Sequence, residues 1–207
     1  MYFKTFLAFF MLLLLIIIGC EQKKAEVVIQ GRVLEYDPQT MIVTIIKDKN
    51  ADAIRPDYNT LPPEQFILPK DVIQKGFEPT DGYRMKLDAD KNNITLYNPE
   101  TKAFEHIDIV VIDKKTNIQR DDNLVYDIKK QEFRMFPIIN KDQNTVTLYS
   151  VRQKIYITFK VDKKHIDLPA KAWRAGDDIK ISYKDDKKVT KFTNITKSDL
   201  LHFKSQN

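Results

Sequence analysis

The chain has 207 residues, 34 of them basic and 29 acidic, for a formal net charge of +5, and 43% of its residues are hydrophobic. That globular balance excludes a disordered chain, and the mild charge falls short of a dedicated nucleic-acid binder, so no specific nucleic acid is expected. Five glycines exclude collagen-like and glycine-linker architectures, and a single cysteine excludes an intrachain disulfide.

The first feature in chain order is Lys4 followed by an almost unbroken apolar run from Phe6 to Ile18. A cationic start and an apolar segment this short predict a signal peptide over residues 1–19, too short for a comfortable membrane span. Its end, Ile17-Ile18-Gly19-Cys20, resembles a bacterial lipobox. That resemblance implies cleavage after Gly19, lipid attachment at Cys20, and a mature chain of 188 residues that has lost only one charge, Lys4. One acyl chain holds only marginally, at roughly 0.8 kcal/mol per buried methylene, and the resemblance implies three. With Cys20 spent on the anchor, no thiolate zinc site or cysteine nucleophile is left. Glu21 follows the anchor where an aspartate would mark the inner membrane. By resemblance to lipoprotein sorting this implies the outer membrane, facing the periplasm, with the inner membrane or a Gram-positive cell surface as alternatives.

Residues 20–26 read as a polar tether. Val27 to Tyr36 and Met41 to Lys47 are β-branched runs joined by a turn at Asp37-Pro38-Gln39-Thr40, which predicts two strands. A polar loop with three prolines occupies 48–65, and Phe66 to Leu68 is a short strand before one helical turn within 69–76. Tyr83 to Leu87 and Ile94 to Tyr97 predict a hairpin, Phe104 to Ile112 one long strand, and the charged stretch 113–131 a connector.

The second half repeats the first. Asp37 to Ile45 aligns with Asn140 to Leu148, Gly82 to Leu87 with Gly176 to Ile181, and Ile94 to Asn98 with Val189 to Thr193. Such self-similarity predicts duplicated units, the first carrying nine extra residues in the 48–65 loop. The rival reading is that the hairpins share turn chemistry. The expected fold is all-β, two tandem OB-like or SH3-like barrels over 27–112 and 132–198, with a tail at 199–207. Gly82 and Gly176 would supply backbone freedom at barrel corners.

Gly31-Arg32-Val33, Leu61-Pro62-Pro63, Arg84 to Asp88, Val146 to Ser150 and Ala175-Gly176-Asp177, in that order, resemble an uncharacterised bacterial lipoprotein family, a domain of unknown function. The resemblance implies location and architecture and brings no activity or site residues with it.

Two stretches qualify as ligand sites. In the long first loop, Arg55, Asp57 and Tyr58 put a cation, a carboxylate and an aromatic together, and loops on rigid scaffolds carry function. Between Val151 and Val161, alternation puts Arg152, Lys154, Tyr156, Thr158 and Lys160 on one face, a basic-aromatic platform for a polyanion. The bland alternative is a solvated strand whose lysines block edge pairing. Asp48 to Asp52 and Asp88 to Asn92 imitate the start of a calcium loop but lack its glycine and closing glutamate, so no metal is expected. His106, His165 and His202 show no ligand or relay spacing and read as structural, Trp173 reads as core, and no cofactor is expected. The resulting expectation is a membrane-anchored, non-enzymatic binding or scaffold module with an envelope protein or polymer as partner. The alternatives are a hydrolase of an envelope polymer, or polyanion binding through the strand face.

Overall fold

The computed structural model describes residues 25–51, 56–184 and 186–198. The signal peptide, Cys20, Arg55, His202 and the tail therefore lie outside the described residues. The chain is mostly β. Its strands are β1 (Val27–Asp37), β2 (Ile42–Lys47), β3 (Glu64–Ile67), β4 (Arg84–Asp88), β5 (Asn93–Asn98), β6 (Ala103–Asp108) and β7 (Val110–Lys115). They continue as β8 (Tyr126–Asp127), β9 (Glu132–Phe133), β10 (Ile138–Asn140), β11 (Thr145–Ser150), β12 (Ile155–Lys160), β13 (Asp178–Tyr183) and β14 (Val189–Asn194). Two helical turns, α1 (Lys163–Ile166) and α2 (Ala170–Trp173), precede β13.

Turn chemistry explains most of the local structure. Six hairpins among the described residues have four-residue turns that end on a residue with positive φ: Met41, Asn92, Lys102, Gln131, Asn144 and Lys154. In five of them the residue before the turn is Asp or Asn, and its side chain accepts a backbone N–H from inside the turn: Asp37 from Gln39, Asp88 from Lys91, Asn98 from Glu100, Asp127 from Lys129, and Asn140 from Gln143. A short side chain that captures turn amides favours the turn over any extended alternative. The segment Asp88 to Asn92 is one of these turns, and its first carboxylate is engaged by the backbone of its own loop. Asp37 to Ile45 and Asn140 to Leu148 are both such hairpins, as are four segments outside the alignment.

The strands form four antiparallel sheets, and no sheet among the described residues is a closed barrel. A five-stranded sheet runs in the order β14-β13-β1-β2-β3, a four-stranded one β10-β11-β12-β7, a three-stranded one β4-β5-β6, and β8-β9 is a small hairpin. The five-stranded sheet curls until its edges meet at one parallel bridge, Ile67 to Lys188. Its strands come from both ends of the chain: β1 pairs with β13 from Val27–Tyr183 to Arg32–Asp178. Segments 27–112 and 132–198 thus share one sheet, where sequence alignment predicted a separate barrel for each. Pairing between the ends is non-local, and no local pattern reports it. The stretch Phe104 to Ile112 also differs from expectation. It divides at buried Ile109 into β6 and β7, which join different sheets, and the connector 113–131 contributes the end of β7 and the strand β8.

Burial follows this arrangement. Val33, Val43, Ile45, Phe66, Leu68, Ile179, Ile181 and Val189 fill the curled sheet. A larger core joins the three- and four-stranded sheets through Ile94, Leu96, Leu148, Ile157, Phe159 and Trp173, and takes Leu34 and Ile46 from β1 and β2. The middle of β1, Gly31 to Leu34, and Ile45–Ile46 of β2 are therefore buried on both faces, and the register shift between Val33 and Glu35 occurs where β1 feeds both cores. Gly82 and Gly176, predicted as flexible corners, are needed for space. A Cβ on Gly176 would stand 1.7 Å from the Val33 carbonyl, and one on Gly82 would stand 2.6 Å from Gly176 N. Neither has positive φ; among the described glycines only Gly76 does.

Candidate functional site

At the junction of the sheets lies a cleft of about 1180 Å³. Seven arginines and lysines line it against three aspartates, Asp57, Asp88 and Asp178. Its centre is Arg32, placed by β1 opposite Asp178 of β13. Arg32 Nε donates to Asp178 Oδ1 at 2.9 Å, Nη2 to Oδ2 at 3.3 Å, and Nη1 to the Met85 carbonyl at 2.7 Å. The Tyr58 ring lies 4.2 Å from the guanidinium carbon, a cation–π contact. Arg152 Nη2 donates to the second oxygen of Asp178 at 2.7 Å, so one carboxylate serves two arginines. Burial alone would raise the Asp178 carboxyl. The Arg32 charge and bond, together with Tyr58 and Arg152, outweigh it and hold the group below the usual carboxylate range.

Arg84, the first residue of β4, stands apart from this pairing. Its Nε donates to the Trp173 carbonyl at 2.9 Å, and it has no carboxylate partner among the described residues. Burial, with the Arg32 charge second, lowers its guanidinium from the ordinary value to about 10. A part-buried cation beside a like charge, with no carboxylate partner among the described residues, is the cleft's open position for an anion. Another polar atom on a residue lining the cleft, Trp173 Nε1, is buried without a hydrogen-bond partner among the described residues. The cleft also holds a cross-strand pair, Thr95 Oγ1 and His106 Nδ1 at 3.0 Å. Among the described residues nothing orients the far nitrogen of His106, which leaves this pair short of a relay.

The sequence-predicted residues divide cleanly. Asp57, Tyr58 and Arg152 meet in the cleft. Asp57 is tied into its own loop, its carboxylate accepting the Asn59 N–H and its backbone N–H donating to Asp48. Lys154, Tyr156 and Lys160 do not reach the cleft. Strand β12 begins only at Ile155, so Arg152 and Lys154 sit in the preceding hairpin turn and the expected continuous face is not formed. Tyr156 packs edge-on to Phe136 and against Lys115, and Lys160 is exposed beside Val110. Sequence reading missed Arg32, Arg84 and Asp178. The available signal was an arginine inside the apolar run of β1, a position that demands a buried partner.

Among the described residues no group of three or more His, Cys, Asp or Glu is placed to hold a metal ion, and no described helix is long and apolar enough to cross a membrane. Comparison with curated proteins and with solved structures finds no match. A family model described as a domain of unknown function (DUF4881) matches residues 24–204, nearly all of the chain beyond the apolar leader, and the protein belongs to that family.

Proposed function

We propose that the protein is a membrane-tethered binding module that holds an anionic ligand in its central cleft and performs no covalent chemistry on it. The observation that carries this reading is Arg84, a cleft-lining guanidinium without a carboxylate partner among the described residues. A bound anion supplies the missing counter-charge in a site of lowered dielectric, where a charge-assisted hydrogen bond is about twice as strong as a neutral one. The tether is Cys20, whose context resembles a lipobox and which lies seven positions before the first strand residue, Val27. Seven extended residues span at most about 25 Å, so an anchor there keeps the module beside the bilayer. The outer membrane, facing the periplasm, is the location this reading adopts, with an envelope polymer or protein as the source of the anion.

Two measurements on the full chain test it. Cys20→Ser should move the protein from the membrane to the soluble fraction, and continued membrane retention rejects the tether. Sulfate and phosphate should raise the melting temperature of the wild-type chain and leave that of Arg84→Gln unmoved. An equal response from both chains rejects the cleft as the binding site.

A further inference from the structure

The charges around Asp178 do not balance. Arg32, Arg84 and Arg152 bring three positive charges to one end of the cleft, and Asp178 brings one negative. The three belong together: Arg32 and Arg152 share the Asp178 carboxylate, and Arg32 also bonds the carbonyl of Met85, the residue next to Arg84. The other charges near the cleft are largely spoken for. Lys86 lies 3.3 Å from Asp88, Arg174 is paired with Asp81, and the Asp57 carboxylate is held by its own loop. Lys91 and Arg120 add further positive charge to the rim.

Donors are in excess as well. The two terminal nitrogens of Arg84 donate to nothing among the described residues, and Trp173 Nε1–H has no acceptor. Arg152 uses Nη2 alone. A single carboxylate or a phosphodiester carries one negative charge and would leave this cluster at +1. A phosphomonoester carries close to two at neutral pH and presents three strong acceptor oxygens.

We propose that Arg84, Arg32 and Arg152 seat a phosphomonoester group, bound as its dianion. The assignment rests on the anion-binding reading above and narrows it to one ligand chemistry. The forked donors of Arg84 take two phosphate oxygens, an arrangement that arginine's planar geometry suits and lysine's does not. The phosphate group comes either from a soluble phosphorylated molecule or from a lipid headgroup.

The test uses the full chain in detergent, with emission from Trp173, the only tryptophan, as the readout. The probes are phenyl phosphate, dimethyl phosphate, acetate and sulfate. Phenyl phosphate should bind up to about tenfold tighter at pH 7.5 than at pH 5, because its second ionisation lies near pH 6. Sulfate, doubly charged throughout, should show no such gain. A histidine, His106, also lines the cleft, but any positive charge it gained at low pH would favour every anion, the opposite sign. Dimethyl phosphate and acetate should bind at least about tenfold more weakly than phenyl phosphate. Arg84→Gln should abolish the response and Arg84→Lys should restore it only in part. Arg152→Gln, at a side chain 44% exposed and tolerant of change, should erase the preference for monoester over diester.

Equal affinity for monoester, diester and acetate overturns the dianion assignment and leaves the anion-binding reading standing. Sulfate binding that tracks pH like phenyl phosphate also overturns it, assigning the titration to the protein. No Arg84-dependent response to any anion overturns both. Vesicles carrying phosphatidic acid, compared with phosphatidylglycerol vesicles, separate the sources. Arg84-dependent capture on phosphatidic acid supports a lipid headgroup, and a response confined to phenyl phosphate supports a soluble ligand.

Discussion

Arg32 and Asp178 are directly opposed across β1 and β13, 146 positions apart in the chain, with both side chains 10% exposed and Nε 2.9 Å from Oδ1. The pair closes the five-stranded sheet between the two ends of the chain and forms the floor of the cleft, so fold and site depend on the same contact. Removing one partner of a buried pair strands the other charge, at a cost of about 3–5 kcal/mol. Asp178→Asn should lower the unfolding free energy by that order in denaturant titration, and a loss under 1 kcal/mol would show that Arg32 does not rely on it.

The same pair fixes an acid limit. The folded Asp178 carboxyl lies below its ordinary value despite burial, because Arg32, Tyr58 and Arg152 outweigh desolvation. A carboxyl with a depressed folded value contributes stability above its unfolded value of about 3.9, and loses it as pH falls through the folded value. Thermal unfolding between pH 6 and pH 2.5 should therefore show a drop beginning below about pH 4 in the wild type. Asp178→Asn should show a smaller drop, and parallel curves would remove Asp178 from the account.

Backbone contact between Gly176 and Val33 makes a third, sharper prediction. A Cβ 1.7 Å from the Val33 carbonyl cannot be relieved by a rotamer change, since the backbone of residue 176 fixes the Cβ and the oxygen belongs to main chain. Gly176→Ala should destabilise by more than about 4 kcal/mol or prevent folding, in the range reserved for such named clashes. Gly76→Ala provides the contrast. Nothing lies within 4 Å of its Cβ position, and only its φ of +85° opposes the change, so about 1 kcal/mol is expected. Melting temperatures of the two variants should differ accordingly; similar values would show that β1 can shift to make room.

Local elements were legible in the sequence, and long-range partners were not. The hairpin at Asp88 to Asn93 and the turn at Asp37 to Thr40 follow from side chains that capture their own turn amides, a signal contained within four residues. The pairing of β1 with β13 rests on Ile29 opposite Ile181 and Gly31 opposite Ile179, residues that carry no mark of each other. For the same reason the cleft was half visible. Asp57 and Tyr58 stood out as chemistry on a loop and Arg152 as part of a basic strand face, whereas Arg84 and Asp178 become a site only when β4 and β13 meet β1. Gly82 and Gly176 aligned as equivalents of a repeat and proved to be neighbours that touch.

The shared turn conformation offers a stabilisation test. Lys102 and Gln131 hold φ of 54° and 55° in exposed turns, whereas Asn92 and Asn144 hold 50° and 52°. Left-handed backbone costs an ordinary side chain about 1 kcal/mol, and less for Asn, whose short polar group tolerates it. Lys102→Gly and Gln131→Gly should each raise stability by about 0.5–1 kcal/mol, while Asn92→Gly and Asn144→Gly should change it little. Denaturant midpoints decide the matter, and a loss at Lys102 or Gln131 would mean that unfolded-chain entropy outweighs the relief.

The basic strand face proposed from sequence and the cleft found in the structure should separate on a polyanion. Lys154 holds its turn through main chain, its carbonyl accepting the Ile118 N–H, and Lys160 is exposed beside Val110 and does not line the cleft. Replacing both by Gln removes two charges without touching the pairing of Arg32, Arg84 and Arg152. On immobilised heparin, binding energy that arises from contacts inside the cleft depends on Arg84, and each lost contact lowers the slope of log affinity against log salt by about one unit. Arg84→Gln should elute at lower salt with a shallower slope, and the Lys154/Lys160 double variant should elute with the wild type. If the double variant shifts as far as Arg84→Gln, diffuse surface charge accounts for retention, and the cleft has no privileged anion site.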